Sequence, residues 1–200
     1  LERVEILESI LKKNDFDELS TFNDDFYFLK DIVKAINNIK KEGLTPEQFE
    51  ALISGWQKAL LENEDVYYKR DYGEYKKGDI KPAEKEKIEH KVAKVNELVA
   101  IFKLYQKELD KIGRYDFSDM ILSVLAELGE NASLKADLAE KFQYFLVDEH
   151  QDTNTGQNRL IELLTDAPHL EGRANIFAVG DEKQSIYRFQ GASRETFRHF

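Results

Sequence analysis

Two short apolar runs lead into side chains that could carry out phosphoryl chemistry. Tyr144-Phe145-Leu146-Val147 runs straight into Asp148-Glu149-His150-Gln151-Asp152. Ile176-Phe177-Ala178-Val179 runs into Gly180-Asp181 and on to Glu182-Lys183-Gln184-Ser185-Ile186-Tyr187-Arg188-Phe189-Gln190-Gly191-Ala192. A short continuous apolar run marks a strand buried on both faces of a parallel sheet. Open α/β sheets gather their ligands at the C-terminal ends of such strands. Two carboxylates placed there can share the hydrolysis of a nucleoside triphosphate: one holds Mg2+, usually through water, and its neighbour orients and deprotonates the attacking water. Asp148 and Glu149 fit those two roles. The competing readings are a strand that ends in solvated or helix-capping acids, and a metal-dependent nuclease with Asp148, Glu149 and Asp152 as ligands. The nuclease reading leaves the Gln-Ser-Ile-Tyr segment unexplained.

The elements that must position these residues follow from periodicity. A helix from about Gly156 to Leu164 separates the two runs, so strand, helix and strand form one unit of an α/β core. Two strands alone cannot make a stable doubly wound sheet, so further strands are expected outside this chain. Upstream, apolar residues recur at helical spacing: Leu1, Val4, Leu7, Ile10 and Leu11; then Phe26, Leu29, Ile32, Ile36 and Ile39, capped by Asn23 or Asp24 and ending near Gly43. Thr45-Pro46-Glu47-Gln48 reads as a capping box opening a helix that buries Phe49, Leu52, Ile53, Trp56 and Leu60. One long helix is predicted from Pro82 to about Ile112, spanning roughly 45 Å, with Ile88, Val92, Val95, Val99, Phe102 and Leu109 along one stripe. Gly113 breaks it. Asp116 caps a further helix with Phe117, Met120, Ile121, Val124, Leu125 and Leu128 inward and Gly129 at its end. The fold class expected is α/β overall but predominantly α-helical.

Composition narrows the chemistry. The 200 residues carry no Cys, which removes thiolate catalysis and Cys-based metal sites, and four scattered His leave little for a metal cluster. No run approaches the roughly 18 apolar residues of a membrane helix, so a soluble, cytoplasmic protein with no membrane partner is expected. The formal charge of −10 argues against a generally basic coat for nucleic acid. Residues 63–81 nonetheless interleave Tyr67, Tyr68, Tyr72 and Tyr75 with Lys69, Arg70, Lys76 and Lys77 in a loop or hairpin. From Lys69 to Lys94 nine basic residues stand against six acidic ones. Basic and aromatic residues together suit a single-stranded or phosphate-bearing partner; a solvated loop whose tyrosines pack on their own domain is the alternative.

Taken together, the two strand-end segments resemble motifs II and III of the UvrD/Rep family of superfamily 1 DNA helicases, whose patterns read roughly DExQD-T and GD-x-x-QSIY-x-[WF]-x-GA. The resemblance implies that Asp148 coordinates the magnesium of Mg-ATP, that Glu149 is the general base, that Gln184 contacts the γ-phosphate, and that Gln151 is a further nucleotide-binding residue. It implies further that Tyr187 and Phe189, with Arg188 and Gln190, face single-stranded DNA, where base stacking on an aromatic ring is worth about 1 to 3 kcal/mol. Without it the two rings read as core packing. Many relatives carry Trp where Phe189 stands and Arg where Gln190 stands. More weakly, Arg114-Tyr115-Asp116-Phe117-Ser118-Asp119-Met120-Ile121 looks like the family's return into the motor domain. Lys40-Lys41-Glu42-Gly43-Leu44-Thr45-Pro46 resembles a stretch of its helical insertion, subdomain 1B. Residues 1–113 are thus expected to be the 1B-like insertion and 114–200 the C-terminal part of the first RecA-like domain.

A P-loop needs G-x-x-x-x-G-K-[ST]. The one glycine pair at that spacing, Gly73 and Gly78, is followed by Asp79-Ile80 and reads as a turn. The chain also opens at Leu1 within an amphipathic stretch, without an initiator Met. The expectation is a piece of a longer ATP-dependent DNA helicase, inactive alone, which in full couples Mg-ATP hydrolysis to movement on single-stranded DNA and to duplex unwinding. Its implied partners are DNA, ATP and proteins of repair or recombination. A RecB/AddA-like helicase-nuclease motor and a non-catalytic helical module that docks DNA or a partner are the alternatives.

Overall fold

The computed structural model describes residues 2–21, 24–166 and 175–181. It is mostly helical, with one two-stranded parallel sheet among the described residues. The chain forms two compact units, one of residues 1–36 and 46–113, the other of residues 37–45 and 114–200.

In the first unit, α1 (Glu2–Lys13) and α3 (Pro46–Leu61) pack on the 30-residue α4 (Pro82–Lys111), and α2 (Leu29–Lys41) contributes its first part. Leu7, Ile10 and Leu11 of α1, Ile53 of α3, and Ile88, Val99, Ile101, Phe102, Tyr105 and Leu109 of α4 are buried. Each such side chain removed from water contributes about 1.5–3 kcal/mol. Pro82 at the first turn of α4 costs no hydrogen bond, since that amide has no partner in any helix. The loop after α1 is held by Glu97 of α4, whose carboxylate accepts from the amides of Asp17, Glu18 and Leu19 at 2.8–3.1 Å.

Several side chains expected inside are not. Leu52 and Trp56 are exposed, so α3 buries a narrower stripe around Ile53. The second helix starts at Leu29 rather than beside Asp24, because the Asp24 carboxylate accepts from the Phe26 amide at 2.8 Å and holds a turn there instead. Residues 66–81 form the hairpin. Tyr67 bridges to Ile80 and Tyr72 to Tyr75, and Gly73 and Gly78 take positive φ of 59° and 94° as its turns require. The Tyr68 ring stacks on those of Tyr75 and Tyr72, with centroids 5.0 and 6.1 Å away.

In the second unit, α5 (Phe117–Glu130) and α6 (Ala132–Lys141) pack on α7 (Thr155–Thr165). β1 (Phe145–Val147) lies parallel to β2 (Ile176–Ala178), with Phe145 opposite Ile176 and Val147 opposite Ala178. α6 was not read from the sequence; its start is signalled by Asn131, whose side chain accepts from the Leu134 amide. The sequence draws one boundary near residue 113, whereas the structure also groups Asn37–Thr45 with the later residues. Two contacts account for this. Lys40 is buried and ion-paired at 2.8 Å to Asp116 and 2.6 Å to Asp119, the two ends of the capping box that starts α5. Gly43, at φ +75°, ends α2 with its Cα 3.4 Å from the position a Cβ on Gly156 of α7 would take. The strands are not buried on both faces: Leu146 is 81% and Phe177 65% exposed, because among the described residues no layer covers that side. Phe117, Met120 and Val124 of α5 are likewise exposed, leaving Leu125 and Leu128 to make its core contact.

Candidate functional site

The parallel pairing fixes what the two strands deliver. Its ladder continues past the strands: the Val179 amide donates to the Val147 carbonyl at 2.8 Å, and the His150 amide donates to the Val179 carbonyl at 2.9 Å. Asp148 and Glu149 therefore leave β1 beside Gly180 and Asp181, which leave β2. Both carboxylates are exposed.

The turn that carries them has a local cause. Glu149 sits at φ 50°, ψ 39°, the one non-glycine among the described residues with positive φ. Non-glycine residues in that region cost of order 1–3 kcal/mol and gather at functional sites. The conformation reverses the chain at the strand end and feeds the 3-10 turn His150–Asp152. Asp148 supports it, since its carboxylate accepts from the Glu149 amide at 2.9 Å. Thr153 closes the turn by donating to the His150 carbonyl at 2.7 Å, and Asn154 and Gln157 form the capping box of α7.

Beneath this exposed pair the turn is polar and buried. His150 is 2% and Gln151 3% exposed. Burial pushes the His150 imidazole below its ordinary pKa, against a smaller opposing effect of Asn158. Asn158 of α7 is buried too. Gln151 spans the two strand ends: its Nε2 donates to Glu149 Oε2, and its Oε1 accepts from the Asp181 amide at 2.9 Å.

Asp148, Glu149 and Gln151 are thus brought together, with Asp181 added. Gln184, Tyr187, Arg188, Phe189 and Gln190 lie outside the described residues. The left-handed Glu149 and the Asp181 contact were not read from the sequence; the only signal for the latter was an amide side chain two residues after Glu149. An exposed carboxylate at a strand end suits Mg2+, which keeps several waters and takes one or two protein carboxylates together with substrate phosphates. Among the described residues no group of three His, Cys, Asp or Glu side chains is arranged to hold a metal by itself. No helix among them is long and apolar enough to cross a membrane.

Comparison with known proteins agrees with the motif reading. A family model described as UvrD/REP helicase N-terminal domain matches residues 3–200. "ATP-dependent DNA helicase Rep" of Escherichia coli is 40% identical over 89 residues, covering 44% of this chain and 12% of that protein. "DNA helicase II" of Haemophilus influenzae is 32% identical over 104 residues, 52% of this chain and 14% of that protein. An ATP-dependent helicase/nuclease protein of Bacillus cereus is 30% identical over 197 residues, 94% of this chain and 13% of that protein. The stretches matched in this chain cover about an eighth of the length of these relatives.

Proposed function

The chain belongs to the UvrD/REP helicase N-terminal domain family, and from that premise we propose that it carries the catalytic carboxylates of an ATP-dependent DNA helicase. In this reading the whole protein converts Mg-ATP hydrolysis into movement along single-stranded DNA and unwinding of duplex, in repair or recombination. Residues 114–200 are then the C-terminal part of a first RecA-like motor domain, an incomplete α/β core, and the first unit is a 1B-like insertion. The observation that carries the reading is the placement of Asp148 and Glu149 at the C-terminal end of β1, against the Gly180-Asp181 end of β2.

Asp148 would hold the magnesium that accompanies ATP, which would supply neutralisation of phosphate charge there. Glu149 accepts the proton of the attacking water. Its exposed carboxylate can reach a substrate water on one side while the buried turn holds its backbone on the other. Gln184 contacts the γ-phosphate, and Gln151 stands on the same side of the site. Tyr187 and Phe189 stack on DNA bases, with Arg188 and Gln190 beside them on the strand. The segment leaving β2 therefore feels both the nucleotide and the DNA, and this continuity is what links hydrolysis to movement. The exposed Leu146 and Phe177 face supports an α/β core whose remaining layers come from residues beyond those described. The similarity to the Bacillus cereus helicase/nuclease over most of the chain keeps the motor of a helicase-nuclease as the second reading.

The test is single-stranded-DNA-dependent ATP hydrolysis by the whole gene product that contains these residues. Tyr187→Ala and Phe189→Ala should each reduce the stimulation by DNA, a loss of about 1 to 3 kcal/mol of stacking per base, while ATP binding without DNA is retained. Unchanged stimulation in both variants refutes the assignment. The 200 residues alone, which contain no G-x-x-x-x-G-K-[ST] stretch, should not turn over ATP.

A further inference from the structure

One buried side chain lies between the two strand ends. Gln151 is 3% exposed, and its single planar amide is engaged at both ends by different segments. The Nε2 end donates to the carboxylate of Glu149, and the Oε1 end accepts from the backbone amide of Asp181 at 2.9 Å. The link needs a donor and an acceptor on one side chain, which an amide supplies: a carboxylate offers acceptors alone, and an ammonium donors alone. Asp148 and the Val179 carbonyl hold the backbone on either side of Glu149, but they do not touch its side chain. Among the described residues Gln151 does, and it reaches across to the other strand end as well.

The geometry points to Gln151 as a positioning residue that aims the Glu149 carboxylate and makes its aim depend on where the Gly180-Asp181 strand end sits. This rests on the reading of Glu149 as the base. A shift of Asp181, three residues before Gln184 in sequence, alters the acceptor end of the amide; the donor end then carries the change to Glu149. The strut thereby gives the β2 segment a direct mechanical hold on the proton acceptor. The amide that makes both bonds is itself buried, although Glu149 and Asp181 at its two ends are exposed.

The experiment uses the whole gene product with two variants. Gln151→Glu is nearly isosteric: it keeps an acceptor for the Asp181 amide and sets a second carboxyl group against Glu149 in place of the amide donor. Gln151→Met keeps the length and removes both bonds. Steady-state ATP hydrolysis at saturating single-stranded DNA gives kcat, and titration of a fluorescent, non-hydrolysable ATP analogue gives nucleotide affinity. Misaiming a reacting group by about 1 Å can cost on the order of 100-fold in rate, so kcat should fall by about 10-fold or more in both variants, with Kd for the analogue within about 2-fold of the parent. An unchanged kcat, or a Kd weakened as much as kcat falls, overturns the inference and in the second case makes Gln151 a nucleotide ligand. Thermal melting checks folding, and if Gln151→Met does not fold, Gln151→Glu decides. Absence of DNA-stimulated hydrolysis in the parent protein refutes the helicase reading itself, a result distinct from a parent that hydrolyses ATP and variants that match it.

Discussion

Lys40→Met removes the cation from a buried cluster of three charges, and its cost follows from the geometry. The Lys40 ammonium lies 2.8 Å from an oxygen of Asp116 and 2.6 Å from one of Asp119, with side-chain exposures of 0%, 11% and 6%. The other oxygens of the same carboxylates are committed to the α5 capping box, Asp116 accepting from the Asp119 amide at 3.1 Å and Asp119 from the Asp116 amide at 2.8 Å. Met fills the volume of the lysine stem but leaves two shielded carboxylates facing each other. Breaking a buried pair by removing one partner costs about 3–5 kcal/mol, a large share of the roughly 5–15 kcal/mol that holds a domain folded. With an m-value of about 2 kcal/mol/M, the urea midpoint of the unit containing α5 should fall by about 2 M, read by circular dichroism. Lys103→Met is the control. Its partner Glu50 is as close, at 2.6 Å, but the two side chains are 38% and 53% exposed, and such pairs contribute about 0–1 kcal/mol. The deficit in Lys40→Met should persist between 0.1 and 1 M NaCl, because salt screens buried charges weakly. A midpoint shift no larger than that of Lys103→Met would refute the reasoning.

Gly43→Ala should destabilise by about 1–3 kcal/mol, since Gly43 has φ +75° and a Cβ there would stand 3.2 Å from the Gly156 Cα and 3.3 Å from Leu125. Gly55→Ala, in helical α3 with nothing within 4 Å, should stabilise by about 0.5–1 kcal/mol, and thermal melts of the two variants should move in opposite directions. The Glu18 carboxylate, 2.6 Å from His90 Nδ1, raises the His90 pKa above its ordinary value by hydrogen bonding and charge. A raised folded-state pKa stabilises the fold below the unfolded value of about 6.5 and loses that contribution as pH climbs through the folded value. NMR titration should show the high His90 pKa, and Glu18→Gln should return it towards the ordinary value.

How much was legible in the sequence depends on how local each signal is. The span of α4 came from an unbroken apolar stripe between Pro82 and Gly113, both local stops. The α5 cap at Asp116 was legible because a capping residue acts within four positions. Leu146 and Phe177 misled: an apolar run shows that a strand is made to be covered, whereas its exposure depends on layers that sequence-local patterns cannot supply. Leu52, Trp56 and Phe117 misled for the same reason. The grouping of Asn37–Thr45 with the later unit was invisible, because the Lys40 contact to Asp119 joins residues 79 positions apart. At the site, Asp148, Glu149 and Gln151 were readable as a motif. The left-handed Glu149 backbone was not, since nothing in a glutamate's local propensity favours it, and the Gln151 contact with Asp181 is set by strand pairing across 30 residues.

The central claim is that Glu149 takes the proton from the water that attacks ATP. Its most direct test is DNA-stimulated ATP hydrolysis by the whole gene product, parent against Glu149→Gln, with ATP affinity measured alongside. Removing a general base should lower kcat by about 100- to 10,000-fold, while ATP still binds and the protein still melts at the parent's temperature. Turnover within a few-fold of the parent in Glu149→Gln would contradict the account.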